Sequence, residues 1–254
     1  MLHVGPYSVH IHPLLETLGY FLGFRLYVRL RRRHGDVVVD LQRLWVLAAA
    51  TVGGAVGSKV LSWFENPGYT FSHWTDVSVL FAGKTVVGGF LGGLAAVEIT
   101  KAFQGVKTHT GDLFALPLIL GTAVGRIGCF FSGLEDHTYG LPTALPWGVD
   151  FGDGIPRHPT QLYEVVFLAL LAAAVLYAGR RMRQGALLEG DPFKVFMIGY
   201  LGWRLAVDFL KPDIRLVLGL SGIQLACVAG LIYYLPHILR MCGWKGAQLP
   251  WRTP

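Results

Sequence analysis

The chain has 254 residues, of which 53% are hydrophobic and only 15% are charged, and its formal net charge is +6. Soluble proteins carry charge on roughly a quarter of their residues, so this composition excludes an ordinary soluble domain and indicates an integral membrane protein. Three cysteines without C-x-x-C spacing exclude a disulfide framework and a cysteine zinc cluster, and the sequence predicts no metal and no cofactor.

Seven apolar stretches are long enough to cross a membrane as helices, because a span needs roughly 20 largely apolar residues. They lie at about 13–30, 44–64, 84–102, 113–131, 160–177, 193–210 and 216–239. The sequence therefore predicts an all-α integral membrane protein with seven transmembrane helices, folded as a single polytopic domain over residues 1–254.

Basic residues concentrate in the loops and tail on one side of these spans. They include Arg29, Arg31, Arg32, Arg33, Lys101, Lys107, Arg180, Arg181, Arg183, Lys194, Arg240, Lys245 and Arg252. The loops on the opposite side hold only Arg157, Lys211 and Arg215. The positive-inside rule then predicts an outward-facing N-terminus and a cytoplasmic C-terminus. Because this distribution accounts for the positive charge, no nucleic-acid partner is expected.

Two loops on the predicted outer face are long and rich in Pro, Gly and Trp, at residues 65–83 and 132–159. A long loop of this composition is typical of a binding element or a mobile lid, although a plain connector has the same composition.

Several ionisable residues fall at one depth, in the outer third of the predicted spans. They are Glu16, Lys59, Lys84, Arg126, Glu164, Arg204 and Asp208. Placing a charged side chain inside a membrane span costs ~3 kcal/mol, so each of these residues is expected to have a structural or functional role. Arg204 and Asp208 could form a structural pair one helical turn apart, and the lysines could extend to the headgroups. The two arginines, set inward in different helices, instead favour a fork that binds a phospholipid phosphate.

Paired glycines in the third predicted span lie near the depth of these arginines. Gly88 and Gly89 belong to the segment VVGGFLGGL at 86–94. Small residues at helical spacing let helices approach closely. At the depth of the arginines, bare backbone could instead admit a lipid headgroup.

Three further segments carry a resemblance to a known family. Residues 125–135 read GRIGCFFSGLE, residues 139–164 read YGLPTALPWGVDFGDGIPRHPTQLYE, and residues 204–213 read RLAVDFLKPD. Together with VVGGFLGGL they resemble bacterial prolipoprotein diacylglyceryl transferase, an inner-membrane enzyme with seven spans. The resemblance covers about two thirds of the chain, in the order and spacing of the family.

The resemblance implies a reaction and a set of residues. The family transfers the diacylglyceryl group of phosphatidylglycerol to a cysteine thiol of a lipoprotein precursor peptide and releases glycerol phosphate. Its partners would be that lipid, that peptide and the surrounding membrane lipids. Arg126 and Arg204 match the family's arginines, and Asp208 stands where the family has a glutamate. The substrate-binding residues implied by the RHPTQLYE motif are Arg157, His158, Gln161, Tyr163 and Glu164. The other substrate-binding candidates are Lys84, Gly88 and Gly89 from span three and His137 from the outer loop.

Departures from the family concern the residues usually assigned to proton transfer. Val87 replaces a histidine, Cys129 replaces an asparagine, and the signature glutamate is displaced to the group Glu135, Asp136 and His137. The thiol still needs a base, for which Glu135 is the first candidate and His137 and His158 are alternatives. Cys129 as a covalent lipid carrier is a further alternative to Cys129 as an apolar filler.

Three functions are compatible with these residues. The first is the lipoprotein transferase. The second is a divergent paralogue that uses the same lipid site with a different acceptor. The third is an inactive lipid-binding or ion-conducting membrane protein whose charges line a pathway.

Overall fold

The computed structural model of the protein describes residues 2–4, 7–9, 11–35 and 40–244, and most of them are helical. The helices are α1 (Ile11–His34), α2 (Asp40–Ser62), α3 (Pro67–Ser72), α4 (Val77–Phe81), α5 (Val86–Gln104), α6 (Asp112–Ser132), α7 (Thr160–Arg183), α8 (Asp191–Val207) and α9 (Gly222–Met241). Four short strands, β1 (Leu2–Val4), β2 (Tyr7–Val9), β3 (Val149–Asp150) and β4 (Pro156–Arg157), form two antiparallel pairs.

Each predicted span overlaps one of the long helices, which are α1, α2, α5, α6, α7, α8 and α9. Five stretches are long and apolar enough to cross a membrane, namely Leu41–Ser62, Val86–Gln104, Asp112–Asp136, Thr160–Arg183 and Gly222–Met241. The other two long helices do not meet these criteria. The α1 sequence contains polar residues such as Glu16 and Arg25 among its apolar ones, and α8 has only 17 residues. The described residues thus form a mostly helical, multi-pass membrane protein with five candidate spanning helices.

The start of the last helix differs from the predicted span at 216–239. α9 begins only at Gly222, because Ser221 and Gln224 form a capping box at its N-terminus. Before it, Val217 and Leu220 pair across a tight turn in which Leu218 and Gly219 have positive φ. The apolar run 216–221 is therefore a turn, which hydropathy alone does not distinguish from helix.

The two long loops contain secondary structure. Residues 65–83 form α3 and α4, and Lys59 donates hydrogen bonds to the carbonyls of Phe81 and Gly83 at the end of this segment. Residues 132–159 contain a 3₁₀ helix (Gly133–Asp136) and the β3–β4 pair. Lys59 thus has a structural role in this region.

The chain divides into two compact units, and the described residues of each have their own packing. The first unit falls within Met1–Leu44, Ala102–Phe196 and Ala206–Asp213. The second falls within Trp45–Lys101, Met197–Leu205 and Ile214–Pro254.

In the first unit, glycines bring α1 and α6 close together. A Cβ on Gly19 would lie 2.7 Å from the carbonyl oxygen of Gly121, which is too close for any side chain. About two turns further along, Tyr27 stacks on Phe114 with ring centroids 4.8 Å apart. Small residues therefore let the backbones of these two helices touch, as in many membrane helix pairs.

In the second unit, a similar contact joins α2 and α5. A Cβ on Gly57 would lie 2.7 Å from the Cα of Gly92, and one on Gly53 would lie 2.6 Å from the carbonyl oxygen of Gly92. Gly88 is buried, and a Cβ there would strike the carbonyl oxygen of Gly57. These glycines close the α2–α5 interface.

Candidate active site

The centre of the candidate site in the first unit is a buried ion pair between two helices. Arg126 lies six residues before the end of α6, and Glu164 lies in the second turn of α7. Nε of Arg126 is 3.0 Å from Oε2 of Glu164, and both side chains are almost completely buried. A buried guanidinium is tolerated only when a partner compensates its charge. The two sequence motifs GRIG and RHPTQLYE therefore meet at this pair.

The first turn of α7 is fixed to the loop before it by side-chain hydrogen bonds. The Thr160 hydroxyl donates to the carbonyl oxygen of Thr138 at 2.8 Å, and Gln161 Nε2 donates to Thr138 Oγ1 at 3.2 Å. The Thr138 hydroxyl in turn donates to Oδ2 of Asp136 at 2.8 Å. Thr160 and Gln161 are buried, so the motif residue Gln161 acts on Asp136 through one intervening hydroxyl.

His158 and Tyr163 of the same motif contact each other. His158 Nδ1 lies 3.2 Å from the Tyr163 hydroxyl, which also accepts a hydrogen bond of 2.8 Å from Trp147 Nε1. A Cβ on Gly140 would lie 2.6 Å from Cβ of His158, so only glycine fits beside this histidine. The imidazole is thereby positioned by the outer loop and by α7.

Arg157 points to a different set of partners. Its Nη1 donates to Asp153 Oδ1 at 2.6 Å, and its guanidinium lies 5.2 Å from the centre of the Tyr139 ring. The hydrogen bond from Arg157 lowers the pKa of Asp153, and the same bond raises the pKa of Arg157. Arg157 therefore stabilises the β3–β4 region of the outer loop.

A second polar group, which sequence reasoning missed, lies beside Arg126. It consists of His12 from the start of α1, Cys129 from α6 and Asp136 from the 3₁₀ helix. Nη1 of Arg126 is 3.9 Å from Sγ of Cys129. His12 is far from the other two in sequence, and the only signal for it is a histidine with Glu16 one turn later at the polar start of a span.

The candidate bases Glu135 and His137 lie on either side of Asp136 and are exposed. His137 has a left-handed backbone with φ of 52°, and its ring lies 6.5 Å from that of Tyr139. Of the three consecutive polar residues, Asp136 is the one directed toward His12, because the 3₁₀ turn carries its neighbours outward.

The structure does not group all the predicted site residues in one unit. Arg204, which is buried, and Lys84, which is exposed, belong to the second unit with Gly88 and Gly89. Asp208 belongs to the first unit, where it is buried at the first residue of a 3₁₀ turn, Asp208–Leu210, after α8. Gly88 contacts α2 as described above, and a Cβ on Gly89 would lie 3.6 Å from the carbonyl oxygen of Gly54.

Comparisons with known proteins agree with these motifs. The family described as "Prolipoprotein diacylglyceryl transferase" matches residues 1–240. A protein of Cupriavidus pinatubonensis named "Phosphatidylglycerol--prolipoprotein diacylglyceryl transferase" is 33% identical, covering 94% of this chain and 86% of its own length. The proteins of the same name from Cupriavidus necator and Nitrosomonas europaea are 34% and 31% identical, over 94% and 83% of this chain and 88% and 76% of their own lengths.

No solved structure matches the chain. The family match extends over nearly the whole sequence, and the relatives align over most of both partners. The buried Arg126–Glu164 pair lies at the junction of the two motifs that first suggested the resemblance. On these grounds the chain belongs to the prolipoprotein diacylglyceryl transferase family.

Proposed function

We propose that this protein transfers the diacylglyceryl group of phosphatidylglycerol to the cysteine thiol of a lipoprotein precursor and releases glycerol phosphate. The relatives carry this activity in their names, which favours it over a different acceptor and over an inactive lipid binder. The observation that carries the proposal is Arg126, an arginine buried in an apolar helix and held by Glu164.

Arg126 would act on the phosphate that leaves. The thiolate sulfur attacks a glycerol carbon, the carbon–oxygen bond to phosphate breaks, and the electron pair stays on the phosphate oxygen. Donors already oriented toward that oxygen lower the barrier, by about 10²–10³ in rate for a single donor. Glu164 holds the guanidinium in one orientation, so little reorganisation accompanies the reaction.

The remaining residues are proposed from the sequence motifs. We assign Arg204 to lipid phosphate binding and Asp208 to its support, with Lys84, Gly88 and Gly89 near the headgroup. We assign Arg157, His158, Gln161 and Tyr163 to substrate binding. Glu135 and His137 are the proposed bases from the sequence, although both are exposed.

The proposed setting is a bacterial inner membrane. We propose that all seven long helices span it as one polytopic domain, with the N-terminus outside and the C-terminus in the cytoplasm. Basic residues at the ends of α1, α7 and α9 support this orientation. Lys245 and Arg252, two of the basic residues of the predicted tail, lie outside the described residues.

The test is transfer by the purified protein from phosphatidylglycerol to a peptide with a lipoprotein cysteine motif. Arg126→Ala should lower the rate by about 10²–10³, and Arg126→Lys should also lower it because lysine cannot form the bidentate contact. Arg181→Ala is the matched control, since Arg181 is an exposed arginine in the last turn of α7. Full activity in Arg126→Ala would refute the proposed site, and a wild-type protein that uses only other acceptors would refute the proposed reaction.

A further inference from the structure

His12, Cys129 and Asp136 bring three metal-ligand atoms together within 4.8 Å of one another. They come from three separate elements, which are the start of α1, the last turns of α6 and the 3₁₀ helix after it. Cys129 is buried and the other two are half-buried, so the group lies below the surface. Among the described residues, this is the one group of three His, Cys, Asp or Glu side chains whose ligand atoms lie this close together.

The contact between His12 and Asp136 fits two ligands of one metal ion as well as an ion pair. Nδ1 of His12 lies 3.3 Å from Oδ1 of Asp136, yet within the described part of the chain this buried nitrogen makes no hydrogen bond. In a tetrahedral zinc site with bonds of about 2.0–2.1 Å, two ligand atoms are separated by roughly 3.3–3.4 Å. The observed separation matches that spacing.

The surroundings of these ligands also suit a metal. Oδ2 of Asp136 accepts the hydrogen bond from Thr138, which is itself held by Gln161, so Oδ1 is left facing His12. Oε2 of Glu16 lies 3.6 Å from Nε2 of His12, the nitrogen opposite the one facing Asp136. Metal-bound histidines and carboxylates are commonly oriented by partners of this kind.

The charges balance as well. A thiolate and a carboxylate together neutralise a divalent cation, and the adjacent Arg126 is already compensated by Glu164. A nitrogen, a thiolate and a carboxylate form a ligand set typical of zinc, and three protein ligands leave the fourth tetrahedral position open.

We propose that His12, Cys129 and Asp136 bind a zinc-type divalent metal ion whose open position takes the thiol of the acceptor. This inference rests on the proposed transferase function and, in place of the exposed Glu135 and His137, supplies the means of forming the thiolate that Val87 cannot. The thiol releases its proton to water as its sulfur binds the metal. That sulfur then forms the bond to the glycerol carbon while the carbon–oxygen bond breaks, and the phosphate oxygen keeps the electron pair.

The proposed metal site lies next to Arg126, and this position suits the reaction. The sulfur of Cys129 is 3.9 Å from the guanidinium proposed to receive the leaving phosphate. A metal held by Cys129 therefore places the nucleophile next to the group that stabilises the leaving oxygen. No oxidant or reductant is needed, because the reaction is a substitution at carbon.

The experiment is a titration of the purified, chelator-stripped protein with Co²⁺, which reports a thiolate ligand by its near-ultraviolet charge-transfer absorption. The wild-type protein should develop this absorption, and Cys129→Ser should lose it. Cys242→Ser is the matched control, because Cys242 is the exposed free thiol. His12→Ala and Asp136→Asn should weaken Co²⁺ binding by about 100-fold or more, and Glu16→Gln by about 10–100-fold.

Thermal unfolding of each variant without metal shows that it is folded, and Zn²⁺ should raise the melting temperature of the wild type but not of Cys129→Ser. Absence of the cobalt–thiolate absorption, or its persistence in Cys129→Ser, would overturn the metal site. Transfer at the full rate by metal-free enzyme would also overturn it while leaving the proposed function intact. Metal binding as expected without any lipid transfer would instead refute the function.

Discussion

Two arginine–carboxylate pairs in the first unit show how surroundings decide what an ion pair does. Arg126 and Glu164 meet inside the helical region, where both are almost completely buried. Arg157 and Asp153 meet in the outer loop, four residues apart, and 32% of the Asp153 side chain is exposed. Water screens the charges of the outer pair, so this pair contributes little to stability. The inner pair is costly to break, because either partner alone would be a buried charge.

The largest effect is expected from removing one member of the inner pair. Glu164→Ala leaves the Arg126 charge uncompensated and should lower the free energy of unfolding by about 3–5 kcal/mol. Unfolding of the protein in lipid nanodiscs measures this. The double variant Arg126→Met with Glu164→Leu should regain most of the stability but no transferase activity, since apolar residues can replace a buried pair. A stable Glu164→Ala protein would show that the inner pair is no more important than the outer one.

An intermediate effect is expected at Thr138, which links α7 to the 3₁₀ helix of the outer loop. Thr138→Val keeps the shape of the side chain but removes the hydroxyl that links Gln161 to Asp136. Leaving these polar groups unsatisfied should cost about 1–3 kcal/mol in the free energy of unfolding. Thr138→Ser retains the hydroxyl and should remain close to wild type, and equal stability of the two variants would exclude this link.

The smallest effect is expected for the outer pair, and it depends on pH. Because the pKa of Asp153 is lowered in the folded protein, its contribution is fully present above the carboxyl pKa of the unfolded chain, roughly 3.9. The contribution is lost only as the pH falls through the lower, folded pKa. Asp153→Asn should therefore change local amide exchange of residues 150–157 slightly at neutral pH and abolish its acid-dependent part. A large change near pH 7 would show that this pair is not screened.

Sequence patterns predicted the helices well because each apolar run is long and bounded by polar residues. The start of α9 was misplaced, although the Ser221–Gln224 capping signal was present, because an apolar turn precedes it. Gly88 was read as room for a headgroup or as a packing residue, and the contact with Gly57 explains its small size by packing.

Residues of the candidate site were predictable from sequence only where one motif contains them. The meeting of Arg126 with Glu164 followed no local spacing, since the residues come from different helices. His12 was missed for the same reason, because its neighbours Cys129 and Asp136 are set beside it by the α1–α6 contact, not by the chain around it. Long-range pairing of this kind depends on helix packing, which one sequence does not encode as a periodic signal.

Backbone hydrogen bonds hold part of the outer loop in place. Residues 140–143 run alongside 156–158 through the bonds from Gly140 to His158, His158 to Leu141 and Thr143 to Pro156, and Leu141 also bonds to the carbonyl of Leu210. Swinging this segment aside would break all four backbone bonds at once. This segment should therefore stay in place during turnover, and turnover should be insensitive to a cross-link between residues 141 and 157.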